Sequence, residues 1–395
     1  MHRRSGHAPG VTAVGAGPLV LIGSPRNAHG LILRRLPSPR HLAASKLAAL
    51  GRSQNRGTEK GVLVLPPDGH VHTEWSWDAA DGSMERSCAR AVELGLPSIA
   101  FTEHADFTRW VIDPEVAAQL RWRHPAWIGP DGRFSPPPLD AVGYLAGVQR
   151  CRDRFPGLRI LSGTELGEPH WHAEEVKALL GSGAFDRVLG SVHSLELDAT
   201  RLVDFLFEEA EPADLIRAYL SETLRLAESS APFAVLAHID YPVRHWPDEA
   251  GPFDATRFED EYRAVLAALV RSGRVLEVNT RVPLPAAIVR WWYEAGGKAL
   301  VFGSDAHRPA VVARRFADAA SAAEAAGFHP GRYPHDFWRR NAIRLRAGVT
   351  LALVIRAAIR SRAPRRAVPC HAPASGHPGV MFRTSIPRAR TRLRM

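Results

Sequence analysis

The sequence predicts an α/β fold in which short β-strands alternate with α-helices around a parallel sheet or barrel. Seven short, β-rich apolar runs are separated by amphipathic stretches of helical length. Six of these runs lead into a residue that can bind a metal ion. The runs are residues 63–65, 98–101, 159–161, 187–189, 234–236, 275–276 and 300–302. Because the carboxyl ends of the strands in a βα barrel face one mouth, we expect these residues to converge.

The helical stretches between the runs have apolar residues at helical spacing, and several end at Gly. They are residues 83–94, 139–155, 173–180, 212–229, 255–270, 285–295 and 309–326. The count gives about seven βα units, one fewer than in the usual eightfold barrel. Residues 110–138, with three Trp and the run Pro136–Pro138, are longer than an ordinary connection. We interpret this stretch as either a cover over the mouth or an inert insertion.

The charge is distributed unevenly along the 395 residues. A net charge of +10 would suggest a nucleic-acid partner, but residues 1–60 hold ten Lys/Arg and one acid, and residues 339–395 hold fourteen Arg and no acid. Residues 61–338 therefore carry a net charge of −13. An acidic body with histidines at strand ends suits cations better than a polyphosphate backbone. We expect no nucleic-acid partner.

Three segments are predicted from composition. Residues 1–60 show no sustained strand or helix periodicity and are predicted to be a disordered or mis-annotated N-terminal extension. Their apolar stretch, 11–23, is too short to span a membrane and too rich in glycine for the core of a signal peptide. Residues 61–348 form the folded domain. Residues 349–395, apart from one short helix at 350–359, are predicted to be a disordered, basic tail rich in Arg, Pro and Ala, with RNA or membrane-surface binding as the alternative.

Cysteine usage bears on the compartment. Cys88, Cys151 and Cys370 lie far apart and form no CxxC pair, so neither a disulfide framework nor a thiolate metal site is indicated. We expect a cytoplasmic protein with no membrane partner. The sequence carries no signal of oligomeric state.

The candidate metal ligands are six histidines and three carboxylates. They are His70, His72, Asp78, His104, Glu165, His193, His238, Asp305 and His307. Residues two apart on a strand face the same side, which favours His70 with His72 and Asp305 with His307 as pairs. Taken singly, each donor has an ordinary alternative as a helix cap, a hydrogen-bonded core histidine or a surface acid. His170 and His172 share the spacing but start a helix, so we interpret them as surface or substrate-side residues.

A ligand set of imidazoles and carboxylates without thiolate favours Zn, Mn or Fe(II). Nine donors are too many for one ion, whereas two or three ions sharing a bridging carboxylate would use them all. Neighbouring divalent ions acidify a water molecule and neutralise oxygens during attack, so phosphoester hydrolysis is the first hypothesis and amide or lactone hydrolysis the second. Arg244, Arg281 and Arg308 follow three donor segments and are candidates for binding phosphate, with surface arginines as the alternative.

Seven segments, in order, resemble the motifs of the polymerase-and-histidinol-phosphatase (PHP) superfamily, in particular its histidinol-phosphatase branch, over about residues 66–328. They are DGHVHTEWSWD, FTEHAD, SGTELG, FDRVLGSVHSL, LAHIDYP, LEVNT and VFGSDAHR. The resemblance implies a distorted (β/α)7 TIM-like barrel with three metal ions. It places the first ion on His70, His72, Glu165 and Asp305, the second on Glu165, His193 and His238, and the third on Asp78, His104 and His307. It makes Glu103 and Asp106 orienting partners, with Asp106 alternatively protonating the leaving group.

The resemblance implies a metal-dependent phosphomonoesterase acting on a small phosphorylated metabolite, with L-histidinol phosphate as the leading candidate. The alternatives are a phosphoesterase of nucleotides or short oligonucleotides, and a metal-binding regulatory module without turnover. After LEVNT the branch usually continues with Gly and a basic pair, whereas this chain has Arg281, Val282 and Pro283. The phosphatase chemistry is therefore better supported than the identity of the substrate.

Overall fold

The structure, a computed structural model, describes residues 65–197, 200–208 and 210–340. The predicted N-terminal extension (1–60), the predicted basic tail (349–395) and the helix predicted at 350–359 lie outside these residues. The predicted domain limits of 61 and 348 therefore stay predictions.

Strands and helices alternate along the described residues as the sequence predicts. The strands are β1 (Asp68–Val71), β2 (Ser98–Asp106), β3 (Arg159–Gly167), β4 (Arg187–Ser191), β5 (Ser194–Glu196), β6 (Thr200–Leu202), β7 (Val235–Leu236), β8 (Val275–Asn279), β9 (Ala299–Gly303), β10 (Phe328–His329) and β11 (Trp338–Arg340). The helices are α1 (Met84–Glu93), α2 (Pro114–Arg123), α3 (Ala141–Arg154), α4 (Ala173–Gly181), α5 (Pro212–Glu228), α6 (Glu259–Ser272), α7 (Ala286–Ala295) and α8 (Phe316–Ala325). Seven of these helices occupy predicted stretches.

Seven parallel strands close into a barrel. Their order is β1, β2, β3, β4, β7, β8 and β9, and β1 pairs back with β9 through Asp68 and Phe302. The predicted TIM-like (β/α)7 fold is thus confirmed. The antiparallel strands β11 and β10 extend the sheet beyond β9, and β5 with β6 forms a separate hairpin. Apolar side chains such as Phe101, Leu269 and Trp292 fill the layer between the barrel and its helices.

The predicted strand ends were wrong at three strands. The first described strand is Asp68–Val71, which contains His70, and of the predicted run 63–65 only Leu65, which is not in a strand, lies among the described residues. Strands β2 and β3 continue for nine residues each, so His104 and Glu165 lie inside them and are direct register partners. A buried polar side chain interrupts an apolar run in the sequence without ending the strand, because its partners come from neighbouring strands.

Residues 110–138 form a small packed unit that includes a helix, α2, absent from the prediction. Trp110 and Phe134 pair as a β-bridge, their rings stack at 5.3 Å, and Val116 and Leu120 of α2 join the same apolar cluster. Trp77 packs against Trp110 and donates a hydrogen bond from Nε1 to Asp106 Oδ2 at 2.9 Å. The insertion therefore adjoins the polar residues at the mouth, and both a cover and an inert insertion stay predictions.

None of the helices between residues 65 and 340 has both the length and the apolar character needed to cross a membrane.

Candidate metal centre

Glu165 lies at the centre of the polar cluster in the barrel, with 1% of its side chain exposed. Its two oxygens face five imidazoles. Oε1 lies 2.6 Å from His238 Nε2 and 3.3 Å from His193 Nε2. Oε2 lies 3.1 Å from His70 Nε2, 3.3 Å from His72 Nε2 and 3.3 Å from His104 Nδ1. One carboxylate thus contacts five histidines from four segments of the chain.

The remaining predicted donors join this cluster on its outer side. Asp305 Oδ1 lies 3.5 Å from His72 Nε2 and 3.5 Å from His307 Nδ1. Asp78 Oδ2 lies 2.9 Å from His307 Nε2 and 3.5 Å from His104 Nε2. The structure therefore brings all nine predicted donors together, and the outermost, Asp78 and His307, are 26% and 20% exposed.

The tautomers of three histidines aim lone pairs at the centre of the cluster. His70 Nδ1 donates to Glu277 Oε1 at 2.7 Å, and His193 Nδ1 donates to Asp106 Oδ1 at 2.9 Å. Ser76 donates its hydroxyl to Glu103, so its oxygen accepts from His72 Nδ1 at 3.1 Å. With the proton on Nδ1, each Nε2 carries a lone pair, as in metal-binding histidines with an acceptor on the other nitrogen.

These lone pairs meet at short distances. His70 Nε2 and His72 Nε2 are 2.9 Å apart and both face Glu165 Oε2. Two neutral imidazoles in this arrangement direct lone pairs at each other and at a carboxylate, so either a proton or a metal cation must lie between them. His104 Nδ1 is also buried and has no hydrogen-bond partner among the described residues. The nitrogen and oxygen donors, without thiolate, fit Zn, Mn or Fe(II).

Within the part of the chain that the structure describes, four groups of donors bring their ligand atoms within 4.8 Å of one another: His70, His72 and Glu165; Glu165, His193 and His238; His72, His104 and His307; and His104, Asp106 and His193. The first two groups lie inside the predicted first and second sites. The other two show that His72 and Asp106 also adjoin the predicted third site.

The electrostatics follow from burial and opposite charges. Burial alone would raise the pKa of Glu165, but His70, His193 and His238 outweigh it and hold the pKa of this carboxyl well below its usual range. Burial would lower the pKa of His70, but Glu277, Glu165 and Asp305 raise it well above the ordinary value. The cluster is a set of strongly coupled charges with little access to water.

Three acids outside the predicted ligand set support the ligands. Glu277 is fully buried, and its Oε2 also accepts from the backbone N of His238 at 2.7 Å. Glu168, at a left-handed φ of 41°, accepts from the backbone N of His193 and of Ser194. Asp68 accepts from the backbone N of Ser304, which precedes Asp305. A Glu within the apolar run LEVN was a signal that β8 also faces the cluster.

Replacing Glu277 with Gln is expected to weaken metal binding by about 10- to 100-fold, the usual effect of losing the carboxylate partner of a metal-binding histidine. The neutral amide would hold His70 less firmly in the Nδ1–H tautomer. Titration of the metal against a competing chelator measures the change. Glu228→Gln, an exposed position on α5, is the matched control. Equal affinities in both variants would contradict a positioning role for Glu277.

The predicted phosphate-binding arginines occupy different environments. Arg244 Nη2 donates to Asp305 Oδ2 at 2.5 Å, and the guanidinium lies over the ring of Tyr241. Arg281 is 43% exposed, with Nη1 3.7 Å from Asp305 Oδ1. Arg308 is exposed on the connection after β9. Arg244 is thus a direct partner of a predicted metal ligand, whereas Arg281 lies at the rim.

The two other histidines have partners away from the centre. His170 Nε2 contacts Glu222 Oε1 at 2.7 Å, and His172 Nε2 contacts Thr108 Oγ1 at 2.8 Å. Neither belongs to a donor group among the described residues. Both histidines are partly buried, with 9% of the His170 side chain exposed, so a surface or substrate-side role stays a prediction.

A closed seven-stranded parallel barrel with a histidine and carboxylate cluster at the carboxyl ends of its strands is the arrangement of a metal-dependent enzyme. The model of the PHP domain family matches residues 68–281, more than half of the chain. The chain therefore belongs to the PHP domain family.

The relatives that the chain resembles carry related names. A probable histidinol-phosphatase of Deinococcus radiodurans is 28% identical over 263 residues, which cover 64% of this chain and 90% of that protein. The histidinol-phosphatase of Lactococcus lactis subsp. lactis is 25% identical over 254 residues, which cover 61% of this chain and 83% of that protein.

Two solved structures share the fold. The crystal structure of histidinol phosphate phosphatase from Lactococcus lactis, complexed with zinc, L-histidinol and phosphate, has a TM-score of 0.55 and 22% identity, and covers 67% of this chain and 95% of that one. The structure of a putative histidinol phosphatase from Listeria monocytogenes has a TM-score of 0.54 and 18% identity, and covers 64% and 99%.

Proposed function

We propose that this protein hydrolyses L-histidinol phosphate to L-histidinol and phosphate, using two or three divalent ions of Zn, Mn or Fe. The observation that carries the proposal is Glu165 among five imidazoles, three of which are held in the tautomer that metal binding requires. The choice of substrate is supported by the names of the relatives and by the ligands of the Lactococcus lactis structure.

The ligand sets would follow the groups described above. His70, His72, Glu165 and Asp305 would hold one ion, Glu165 with His193 and His238 a second, and Asp78, His104 and His307 a third. When bound, neighbouring divalent ions lower the pKa of a water molecule and neutralise phosphate oxygens during attack.

Asp106 is better placed to orient than to protonate. Burial raises its pKa, but His193 and His104 outweigh burial and the pKa of Asp106 is lowered. Its two oxygens accept from His193 Nδ1 and Trp77 Nε1. A carboxylate kept ionised and engaged at both oxygens holds the tautomer of His193 and is a poor proton donor at neutral pH. We therefore assign Asp106 to positioning His193.

Two arginines have distinct proposed roles beside Asp305. Arg281 lies at the rim with nearly half of its side chain exposed, which suits contact with an incoming phosphate. Arg244 is 9% exposed and paired with Asp305, so it would act by fixing the carboxylate. A phosphate contact by Arg308 stays a prediction from the sequence.

A panel of phosphorylated compounds on metal-reconstituted enzyme tests the substrate. L-histidinol phosphate is expected to have a kcat/KM about 100-fold or more above nucleotides and sugar phosphates, because a site built for an amino alcohol leaves its polar groups unpaired with other substrates. Preference for nucleotides or short oligonucleotides would replace this substrate with the alternative. If the enzyme hydrolyses no phosphomonoester, not even an aryl phosphate, the remaining alternative is a metal-binding regulatory module without turnover.

We also propose that the protein acts in the cytoplasm. Cys88 and Cys151 are buried free thiols, which suits a reducing compartment.

A further inference from the structure

The connection from β9 to α8 is fixed firmly at the mouth of the barrel. It begins at Ser304 and runs to Arg315, and it includes Asp305. Ser304 N donates to Asp68 Oδ1 at 3.0 Å, and Ala313 N donates to Asp68 Oδ2 at 2.9 Å. One buried carboxylate therefore anchors both ends of the connection, and the second anchor immediately precedes Arg314.

The backbone at this second anchor adopts an uncommon conformation. Ala313 and Arg315 have φ values of 53° and 56°, in the left-handed region that residues with a Cβ seldom adopt. Two such residues on either side of Arg314 are maintained only where the surrounding contacts impose them. The direction of the Arg314 side chain is thus determined by the fold.

The guanidinium of Arg314 lacks a counter-charge of its own. Its Nε is buried and has no hydrogen-bond partner among the described residues. Burial lowers the pKa of Arg314, and the nearby charges are those of Arg281, Asp305, Arg244 and Arg315. Asp305, which is the only acid of these four, is already paired with Arg244 and adjoins Arg281. A buried, unpaired guanidinium N–H is costly, so an anion is the group this position lacks.

We propose that Arg314 binds the phosphate group of the substrate, beside Arg281 at the rim of the metal centre. This inference rests on the proposed function and extends it by one residue that the motif segments do not contain. A guanidinium presents a planar fork of donors that matches two oxygens of a phosphate monoester. Metal ions bound by Asp305 would neutralise more of the negative charge of this carboxylate. The phosphate of the substrate is then the anion that can pair with Arg314.

The neighbouring Arg315 provides a matched control. It is exposed, carries the same charge, and its Nη1 contacts the backbone oxygen of Arg281 at 3.5 Å. Arg314→Gln and Arg315→Gln therefore remove the same charge one position apart. Only the former removes a buried donor.

The experiment measures binding of inorganic phosphate by calorimetry to the metal-loaded full chain, together with steady-state kinetics. Arg314→Gln is expected to weaken phosphate binding and raise KM by about 10- to 100-fold, the effect of losing a charged hydrogen bond, with a smaller change in kcat. Arg314→Lys retains the positive charge without the forked guanidinium donors. Its affinity for phosphate should therefore lie between those of the wild type and Arg314→Gln. Arg315→Gln should stay within about threefold of wild type, as expected of an exposed charge.

Unchanged phosphate affinity in Arg314→Gln would overturn the inference, as would an equal loss in Arg315→Gln, which would indicate a general effect of charge. Metal content and melting temperature verify that each variant is folded. If Arg314→Gln does not fold, Arg314→Lys decides, because wild-type phosphate affinity in it contradicts a bidentate contact.

The two proposals fail differently. A wild-type enzyme that binds phosphate but does not hydrolyse L-histidinol phosphate would contradict the substrate and leave the comparison of phosphate affinities intact. A metal-loaded wild type that does not bind inorganic phosphate would overturn the role of Arg314, whichever phosphomonoester it hydrolyses.

Discussion

Replacing Glu165 with Gln is expected to lower turnover by roughly 1,000-fold or more, because a carboxylate shared by two ions, as proposed for Glu165, would contribute several kcal/mol to stabilising the transition state. Gln has nearly the same shape, so the barrel should stay folded. It has no charge, however, and its amide group would place N–H donors toward imidazole nitrogens that now face carboxylate oxygens. Measurement of kcat and of bound metal by mass spectrometry should show both decrease, with at least one ion lost per chain.

Glu174→Gln is the matched control for this prediction. Glu174 is exposed in the first turn of α4, nine positions beyond Glu165, and it undergoes the same chemical change. It should retain wild-type turnover and metal content. A Glu165→Gln variant with full metal content and near-normal turnover would remove Glu165 from the bridging position and with it the proposed sharing of ions.

The alternation of strands and helices was predictable because periodicity is local. Helices α1 and α3 to α8 have apolar residues at helical spacing, and α6 and α7 each end before a Gly in the left-handed conformation. Helix α2 was missed because residues 110–138 bury aromatic side chains against one another and against Trp77, without a regular apolar stripe. Its order comes from tertiary contacts, which a local pattern does not contain.

The nine donors were predictable as a set because they follow or interrupt six apolar runs, and a barrel collects strand ends at one mouth. Their partners were not predictable in the same way. Glu277 contacts His70 across 207 positions, and Arg244 contacts Asp305 across 61. Sequence shows that Glu277 is polar in an apolar strand, but only the closed barrel shows which imidazole nitrogen it reaches. The same holds for Arg314, whose direction depends on Asp68 at the other end of the domain.

Removing divalent metal with a chelator is expected to abolish turnover and to lower the melting temperature. The cluster holds five imidazoles around one buried carboxylate, and His70 Nε2 lies 2.9 Å from His72 Nε2. Without a cation these groups must take up protons or separate. A metal present at 100 times its dissociation constant adds about 2.7 kcal/mol to the free energy of unfolding. Its loss should lower the melting temperature by roughly 5–10 °C in a domain of this size.

Adding back Mn or Zn should restore both turnover and melting temperature, and the same chelator saturated with metal beforehand is the control for effects of the chelator itself. His70→Ala sharpens the test, because a chain without this imidazole should lose most of the metal-dependent shift in melting temperature even before chelation. The two readouts separate the roles of the cluster. A chelated protein that loses stability but keeps turnover would make the ions structural, whereas one that loses neither would show that the imidazoles around Glu165 satisfy one another through protons alone.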